Sequence, residues 1–319
     1  MQGYSAETTH ERPRGSVPGW LDRALAHLAG TQRIDGEVPV WVANNCELSG
    51  EPVMDSNHFG TAIVLHALRE VRDHRARRVC RRAATFLRRG MEPGGIWRFW
   101  TPKSGRAVDP DLDVIAVVSA ALREHDPRWG QSIRWPERMR RDSRGRFFTW
   151  LREPGAPNDI DAVVNANVLW WLGDHDETEG ASRFVRAVLR DDDGVDAYPY
   201  YENILALCFA AARAWSCGAR SLEGARGDII ARIAERQRDD GSLGNVWDTA
   251  TSLAALKYLG EARREPAQRT RAWLMARQSE DGSWPRGAAW NGPEWPLARS
   301  LWWGSEALTT GVIVGGIVP

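Results

Sequence analysis

Residues 271–284 read RAWLMARQSEDGSW, an apolar segment that ends in a glutamine and is followed by an Asp-Gly pair and a tryptophan. Apolar residues at helical spacing predict a helix that ends near Gln278, and Asp281-Gly282 predicts a tight turn. Weaker copies of this pattern occur at residues 32–41, 95–97 and 237–241. Internal repetition of this kind is typical of stacked helical units that share one core. We therefore expect one repeat-built domain rather than two unrelated domains.

The bulk composition is that of a globular protein: 319 residues, 43% hydrophobic and 26% charged. The formal net charge of zero argues against nucleic-acid binding, because neutralising phosphates needs a surplus of clustered Lys and Arg. The four cysteines show no CxxC pair and no zinc-type spacing, so we expect no structural metal and a reducing, cytoplasmic location. No run approaches the ~20 apolar residues of a membrane span. We expect residues 311–319 to finish a buried helix, with peripheral contact to a membrane surface as the alternative.

Residues 1–16 are polar and rich in Gly and Pro, and we expect them to be disordered. The rest of the chain, 17–319, alternates two kinds of segment and forms the predicted domain. Amphipathic segments, which should lie outside, cover 17–29, 75–89, 131–141, 179–190, 223–238 and 264–278. Segments that are apolar nearly all round, which should be buried, cover 60–68, 114–122, 162–172, 204–215, 249–259 and 305–314.

Six such alternations predict an all-α fold, an (α/α)6 toroid in which six inner helices stand inside an outer ring. Each inner segment opens with a polar residue: Asn57, Asp111 and Asp113, Asp159 and Asp161, Asn203, Asp248, and Ser305. At any one position, N-capping of the helix explains the residue. In a toroid, however, all six helix starts meet at one mouth. We therefore predict a ring of carboxylates and amides at one end of an apolar cavity.

The glutamine–tryptophan stretch resembles the repeat of squalene-hopene and oxidosqualene cyclases, members of the terpene cyclase/mutase and prenyltransferase superfamily. Its matching residues are Arg271, Ala272, Trp273, Leu274, Gln278, Gly282 and Trp284. In that family the repeat is structural, which implies that Gln278 and Trp284 hold the scaffold together. Triterpene cyclases contain two such domains, and this chain resembles one of them.

Class II members of the family start cyclisation by protonating an alkene or epoxide with the middle Asp of an Asp-x-Asp-Asp motif. This chain has Asp111-Leu112-Asp113-Val114 at the matching place, so the resemblance implies that Asp113 is the proton donor and that one carboxylate partner is missing. A carboxyl in an apolar cavity stays protonated near neutrality because desolvation raises its pKa. The next inner segment brings Asp159 and Asp161, which we expect to tune the donor or bind polar substrate ends.

Further candidates for substrate contact are polar or aromatic residues at or near the inner-helix starts. Asn165 lies inside an apolar helix, where an amide needs a partner or a ligand. Aromatic faces could stabilise a carbocation by cation–π attraction. The predicted substrate-contacting set is Trp97, Trp100, Asn165, Tyr200, Tyr201, Trp247, Asp248, Trp303 and Glu306.

The predicted function is acid-initiated cyclisation of a linear isoprenoid or meroterpenoid, without a cofactor unless a bound diphosphate brings Mg²⁺. The run at 192–196, DDGVD, matches a magnesium-diphosphate motif of class I terpene synthases, but its place in a turn favours a structural role. Two alternatives stay open: a carboxylate-driven glycoside hydrolase, which needs two carboxyls about 5–5.5 or 6.5–9.5 Å apart in a polar groove, and a non-catalytic isoprenoid- or partner-binding toroid. The sequence leaves the oligomeric state open.

Overall fold

The computed structural model describes residues 17–51, 53–131, 139–191, 194–294 and 297–318. The segment predicted to be disordered, 1–16, and residues 192–193 of the acidic run lie outside this range. The described part contains eleven α-helices and one small sheet. The helices are α1 Gly19–Thr31, α2 Phe59–Ala67, α3 His74–Arg89, α4 Leu112–His125, α5 Ala162–Leu172, α6 Glu179–Asp191, α7 Ile204–Ser216, α8 Arg226–Arg236, α9 Val246–Tyr258, α10 Glu265–Met275 and α11 Glu306–Ile317.

Six helices form a closed inner ring. In this ring α2 packs on α4, α4 on α5, α5 on α7, α7 on α9 and α9 on α11, and α11 packs back on α2. Residues in these helices are buried on nearly every face, as expected for segments that are apolar all round. The ring confirms the predicted (α/α)6 toroid.

The outer layer consists of α1, α3, α6, α8 and α10, each packed against an inner helix. These five match predicted amphipathic segments within a few residues at each end. The remaining predicted outer segment, 131–141, is mostly outside the described residues, and a short 3-10 helix at Pro127–Gln131 precedes it.

The stretch 271–284 joins the last outer helix to the first. The Gln278 side-chain amide donates to the Gly282 carbonyl at 3.0 Å and to the Trp20 carbonyl of α1 at 2.8 Å. Gly282 has φ +88°, and a Cβ there would lie 2.3 Å from the Arg23 carbonyl carbon. The Trp284 indole donates to the Leu274 carbonyl of α10 at 2.6 Å. The turn therefore closes the outer ring, and glycine is required where it meets α1.

The weaker copies make the same kind of connection. Gln32, after α1, donates to the Val79 carbonyl of α3 at 3.0 Å. Gln237, after α8, donates to the Pro266 carbonyl of α10 at 2.8 Å. The glutamine thus links consecutive outer helices in both of these copies, whereas the copy at 95–97 has no glutamine.

The starts of the inner helices lie together and are capped by side chains, as predicted. Backbone N–H groups in the first turns donate to Asp111, Asp161, Asn203, Asn245 and Ser305. In α9 the cap is Asn245, and Asp248 lies in the first turn of the helix instead.

An antiparallel four-stranded sheet lies beside this mouth, a feature that the sequence analysis did not predict. Its strands are β1 Trp41–Ala43, β2 Val53–Met54, β3 Trp290–Glu294 and β4 Leu297–Gly304, in the order β2-β1-β4-β3. β1 and β2, of three and two residues, are too short to show an alternating pattern.

The far end of the inner ring is filled by polar side chains from the last helical turns. His66 bonds to Glu124 at 2.6 Å and to the Tyr258 hydroxyl at 2.9 Å, and the Trp170 indole also donates to Glu124. The apolar C-terminal segment is the buried end of α11, as predicted. Among the described residues, no helix is long and apolar enough to cross a membrane.

Candidate active site

A cavity opens at the mouth formed by the inner-helix starts. It comprises about 670 Å³ of empty space, part of which is open to solvent. Its lining is mostly aromatic, with two carboxyl groups. The lining residues are Phe59, Phe99, Trp100, Val108, Asp111, Asp113, Val114, Thr149, Trp150, Tyr200, Tyr201, Trp290, Asn291, Gly292 and Trp303.

A smaller space of about 330 Å³ lies deeper in the ring and shares Phe59, Tyr201 and Trp290 with the mouth cavity. Trp247 of α9 and Phe209 of α7 add aromatic surface there. The aromatic lining therefore continues from the mouth into the ring.

Asp113 lies in the first turn of α4 and reaches the boundary between the two spaces. Its Oδ1 accepts from the Asn167 amide of α5 at 2.5 Å, and its Oδ2 accepts from the Tyr201 hydroxyl at 2.5 Å. Burial raises the pKa of this carboxyl, while the two hydrogen bonds and the charge of Arg213 oppose the rise. Asp113 is therefore a buried carboxyl whose ionised form has hydrogen-bond donors already in place.

Arg213 supports this arrangement from within the ring, and the sequence analysis did not single it out. Its Nη2 donates to Asn167 Oδ1 at 2.6 Å, so Asn167 joins the guanidinium to Asp113. The guanidinium lies 4.0 Å from the Trp170 ring centroid and 4.8 Å from that of Phe209, and the residue is 1% exposed. A buried arginine in an apolar helix was the sequence signal that could have found it.

Two further carboxyls lie near Asp113. Asp111 lines the cavity and caps α4 through a 2.8 Å bond from the Val114 amide. Burial raises the pKa of Asp111 to about 8. Asp161 is fully buried as the cap of α5, and burial together with the charge of Asp113 raises its pKa well above the usual range. A cluster of carboxyls that cannot all ionise keeps protons in the site near neutral pH.

Asp159 has a different environment. Its Oδ2 accepts from the Tyr200 hydroxyl at 2.6 Å and from the Trp150 indole at 3.1 Å, and both of these aromatic residues line the cavity. The carboxylate itself lies behind the aromatic lining.

Of the predicted substrate-contacting residues, Trp100, Tyr200, Tyr201 and Trp303 line the mouth cavity and Trp247 lines the deeper space. Four others lie away from both spaces. Trp97 is fully buried and donates to the Leu87 carbonyl at 2.7 Å, as Trp284 does to Leu274, because it occupies the tryptophan position of a repeat. Asn165 holds the backbone of Phe147 through 2.9 and 3.1 Å bonds, so its amide has protein partners.

The other two residues away from the cavity also bond to protein groups. Asp248 accepts from the Asn203 amide at 3.0 Å, and burial raises its pKa to about 7. Glu306 accepts from the Trp41 indole at 2.9 Å and so connects α11 to β1.

Several lining residues were not predicted from the sequence, among them Phe59, Phe99, Trp150 and Trp290. Trp150 could have been found from the sequence, since it lies one repeat after Trp100. In the structure each of these tryptophans pairs with a residue just before an inner helix, Trp100 with Asn57 and Trp150 with Asp111. Asp55 was also missed. It is 4% exposed and accepts from the Trp100 and Trp303 indoles at 2.7 and 2.6 Å. In the described part of the chain, no group of three or more His, Cys, Asp and Glu side chains is placed to hold a metal ion.

No protein-family model matches the sequence, and no curated protein matches it by sequence. Solved structures do resemble it. The type II terpene cyclase MstE from Scytonema aligns with a TM-score of 0.66 at 15% identity, over 93% of this chain and 96% of that chain. The ent-copalyl diphosphate synthase from Streptomyces platensis aligns with a TM-score of 0.55 at 19% identity, over 82% of this chain and 50% of that chain.

The same fold also occurs in a possible member of the GH105 family from Salmonella enterica, with a TM-score of 0.58 at 12% identity, over 99% of this chain and 98% of that chain. At these identities the likeness shows the fold and leaves the reaction to the residues of the site. The chain is an α/α toroid of the kind found in class II terpene cyclases.

Proposed function

We propose that this protein is a class II-like terpene cyclase that protonates a linear isoprenoid or meroterpenoid with Asp113. One observation carries the proposal: a buried carboxyl with a raised pKa reaches into an aromatic cavity and accepts hydrogen bonds from Tyr201 and Asn167. An alkene is a very weak base, so its protonation needs a neutral acid in a site that excludes water.

In the proposed reaction, the O–H bond of Asp113 breaks and the electron pair of a terminal alkene or epoxide takes the proton. The resulting cation is attacked by the next alkene of the same chain, which forms a carbon–carbon bond and moves the positive charge along. Loss of a proton, or capture of a nucleophile, ends the reaction. The carboxylate left on Asp113 is stabilised by the Tyr201 hydroxyl and by Asn167, whose own oxygen accepts from Arg213.

The motif's missing fourth carboxylate, at Val114, is compatible with this chemistry. Val114 lines the cavity beside Asp111, which supplies a second carboxyl with a pKa raised to about 8. We assign to Asp111 and Asp161 the role of holding protons beside Asp113, because burial and the charge of Asp113 raise the pKa of both.

The substrate class follows from the lining. Eight aromatic residues line the mouth cavity: Phe59, Phe99, Trp100, Trp150, Tyr200, Tyr201, Trp290 and Trp303. Such surfaces suit a polyprenyl chain and a cationic intermediate better than a sugar. A variant of the neighbour MstE has been solved with geranylgeranyl dihydroxybenzoate, its substrate, and we propose a prenylated aromatic acid or a polyprenyl diphosphate here.

The test is incubation of the purified protein with farnesyl and geranylgeranyl diphosphates, the free alcohols and geranylgeranyl dihydroxybenzoate, with products read by mass spectrometry. The proposal predicts a product isomeric with its substrate or hydrated by one water. Cleavage of a glycoside assayed in parallel would instead support the glycoside hydrolase alternative. Tight binding of the isoprenoid without conversion would support the non-catalytic alternative.

A further inference from the structure

Two carboxylates stand behind the aromatic lining of the mouth cavity, and each bonds to a pair of the rings in front of it. Asp55 Oδ2 accepts from the indole N–H groups of Trp100 and Trp303, at 2.7 and 2.6 Å. Asp159 Oδ2 accepts from the Tyr200 hydroxyl at 2.6 Å and from the Trp150 indole at 3.1 Å, and this indole also donates to the Tyr200 hydroxyl at 2.9 Å. All four rings line the cavity, whereas neither carboxylate does.

This arrangement differs from that of the tryptophans at the repeat position. Trp97 and Trp284 donate to backbone carbonyls, at 2.7 and 2.6 Å. Single indoles also donate to carboxylates away from the cavity, as Trp41 does to Glu306 and Trp170 to Glu124. Asp55 and Asp159 differ from these acceptors because each joins two rings that line the same cavity.

A hydrogen bond to an anion pushes electron density from the N–H or O–H group into its ring, since hydrogen-bonded groups polarise one another. A more electron-rich face attracts a cation more strongly. Two of the rings already attract cations: the Arg106 guanidinium lies 5.4 Å from the Trp100 centroid, and that of Arg152 lies 4.9 Å from the Trp150 centroid.

We propose that Asp55 and Asp159 are positioning residues that hold and polarise the aromatic lining, so that the cavity binds a cationic guest in preference to an uncharged one of the same shape. The inference rests on the proposed cyclase function, where the guest is a carbocation formed after protonation at Asp113. The two groups of three, Trp100–Asp55–Trp303 and Trp150–Asp159–Tyr200, would stabilise the positive charge of the guest without placing a carboxylate nucleophile at the cavity surface.

The test measures cation preference without turnover. Isothermal titration calorimetry gives the Kd of (8-hydroxyoctyl)trimethylammonium and of its uncharged carbon isostere, 9,9-dimethyldecan-1-ol. The ratio of the two Kd values is compared between the wild type, Asp55→Asn and Asp159→Asn. We expect the preference for the cation to fall roughly three- to ten-fold in each variant, with the Kd of the alcohol nearly unchanged.

Glu223→Gln is the matched control. Glu223 accepts from the Trp215 indole at 2.7 Å on the outside of the protein, so this variant breaks the same kind of bond away from the cavity. Its Kd ratio should equal that of the wild type. Trp303→Phe removes the N–H donor but keeps an aromatic ring, and its effect should be non-additive with that of Asp55→Asn.

An unchanged Kd ratio in both Asp55→Asn and Asp159→Asn, with wild-type circular dichroism, would overturn the inference. If Asp55→Asn does not fold, Asp159→Asn and Trp303→Phe decide the question. Because no turnover is measured, this result is independent of whether Asp113 proves to be the acid. The Kd ratio can therefore contradict the role of Asp55 and Asp159 while the proposed cyclase function stands. It can equally support that role while the proposed function fails.

Discussion

Replacing Tyr201 by Phe tests the hydrogen bonding of the proposed acid. The change removes the hydroxyl that donates to Asp113 Oδ2 and keeps the ring, which is 5% exposed. Burial and the charge of Asp113 hold the pKa of Tyr201 well above its usual range, so the hydroxyl is a donor at every assay pH. A hydrogen bond to a charged group contributes about 1.5–3 kcal/mol. If it is made mainly to the carboxylate formed in the transition state, kcat should fall roughly ten- to 150-fold.

The pH profile supplies a second readout for Tyr201→Phe. Asp113 must be protonated to act, so activity is lost as pH rises through its pKa. The Tyr201 hydrogen bond lowers that pKa, and its removal should move the loss of activity to higher pH although the rate is smaller. The assay is kcat and KM from pH 5 to 9 on the substrate identified in the panel. An unchanged kcat, or a shift of the profile to lower pH, would refute the reasoning.

Three further outcomes are expected. Gly282→Ala should lower the free energy of unfolding by roughly 2–4 kcal/mol, seen as a reduced Tm, because at φ +88° the new Cβ would lie 2.3 Å from the Arg23 carbonyl carbon. The control Gly227→Ala lies in open space on α8 and should not lower Tm. Equal Tm values for the two variants would count against the role of this turn in closing the outer ring. Asn165→Ala should lower Tm by freeing the Phe147 backbone while kcat per folded molecule changes little, and a large loss of kcat at wild-type Tm would make it a site residue. The stability of Asp111→Asn relative to the wild type should rise between pH 4 and pH 8. The folded-state pKa of Asp111 is raised to about 8, so over this range the folded wild type keeps a proton that the unfolded chain has lost, and its stability falls as pH rises. A difference in Tm between variant and wild type that stays flat across pH 4–8 would contradict this.

The scaffold was predictable from the sequence because its signals are local and repeated. Helical spacing and all-round apolarity separated outer from inner segments. The turn chemistry around Gln278 and Gly282 marked the links between outer helices. Closure of the ring then followed from six repeats. The sheet at the mouth was not predictable in the same way, because β1 and β2 are only three and two residues long and β1 joins them to β4, far away in the chain.

The sequence predicted where the carboxyls of the site lie better than it predicted which aromatic side chains face the cavity. Asp111 and Asp113 could be placed in the mouth because helix starts converge there. Whether an aromatic residue faces the cavity or the backbone depends on three-dimensional packing: Trp97 and Trp100 are three residues apart, yet the first donates to Leu87 and the second lines the cavity. The partners of Asp55 and Asp113 come from distant parts of the chain, so no local pattern could reveal them.

The central claim is that Asp113 delivers the proton that starts cyclisation. The most direct measurement is turnover of the isoprenoid panel in deuterium oxide by the wild type and by Asp113→Asn, with products analysed by mass spectrometry. The account predicts one non-exchangeable deuterium in each molecule of the wild-type cyclised product, and no product from the variant at wild-type circular dichroism. Cyclised product without deuterium, equal turnover by Asp113→Asn, or no conversion of any member of the panel by the wild type would contradict it.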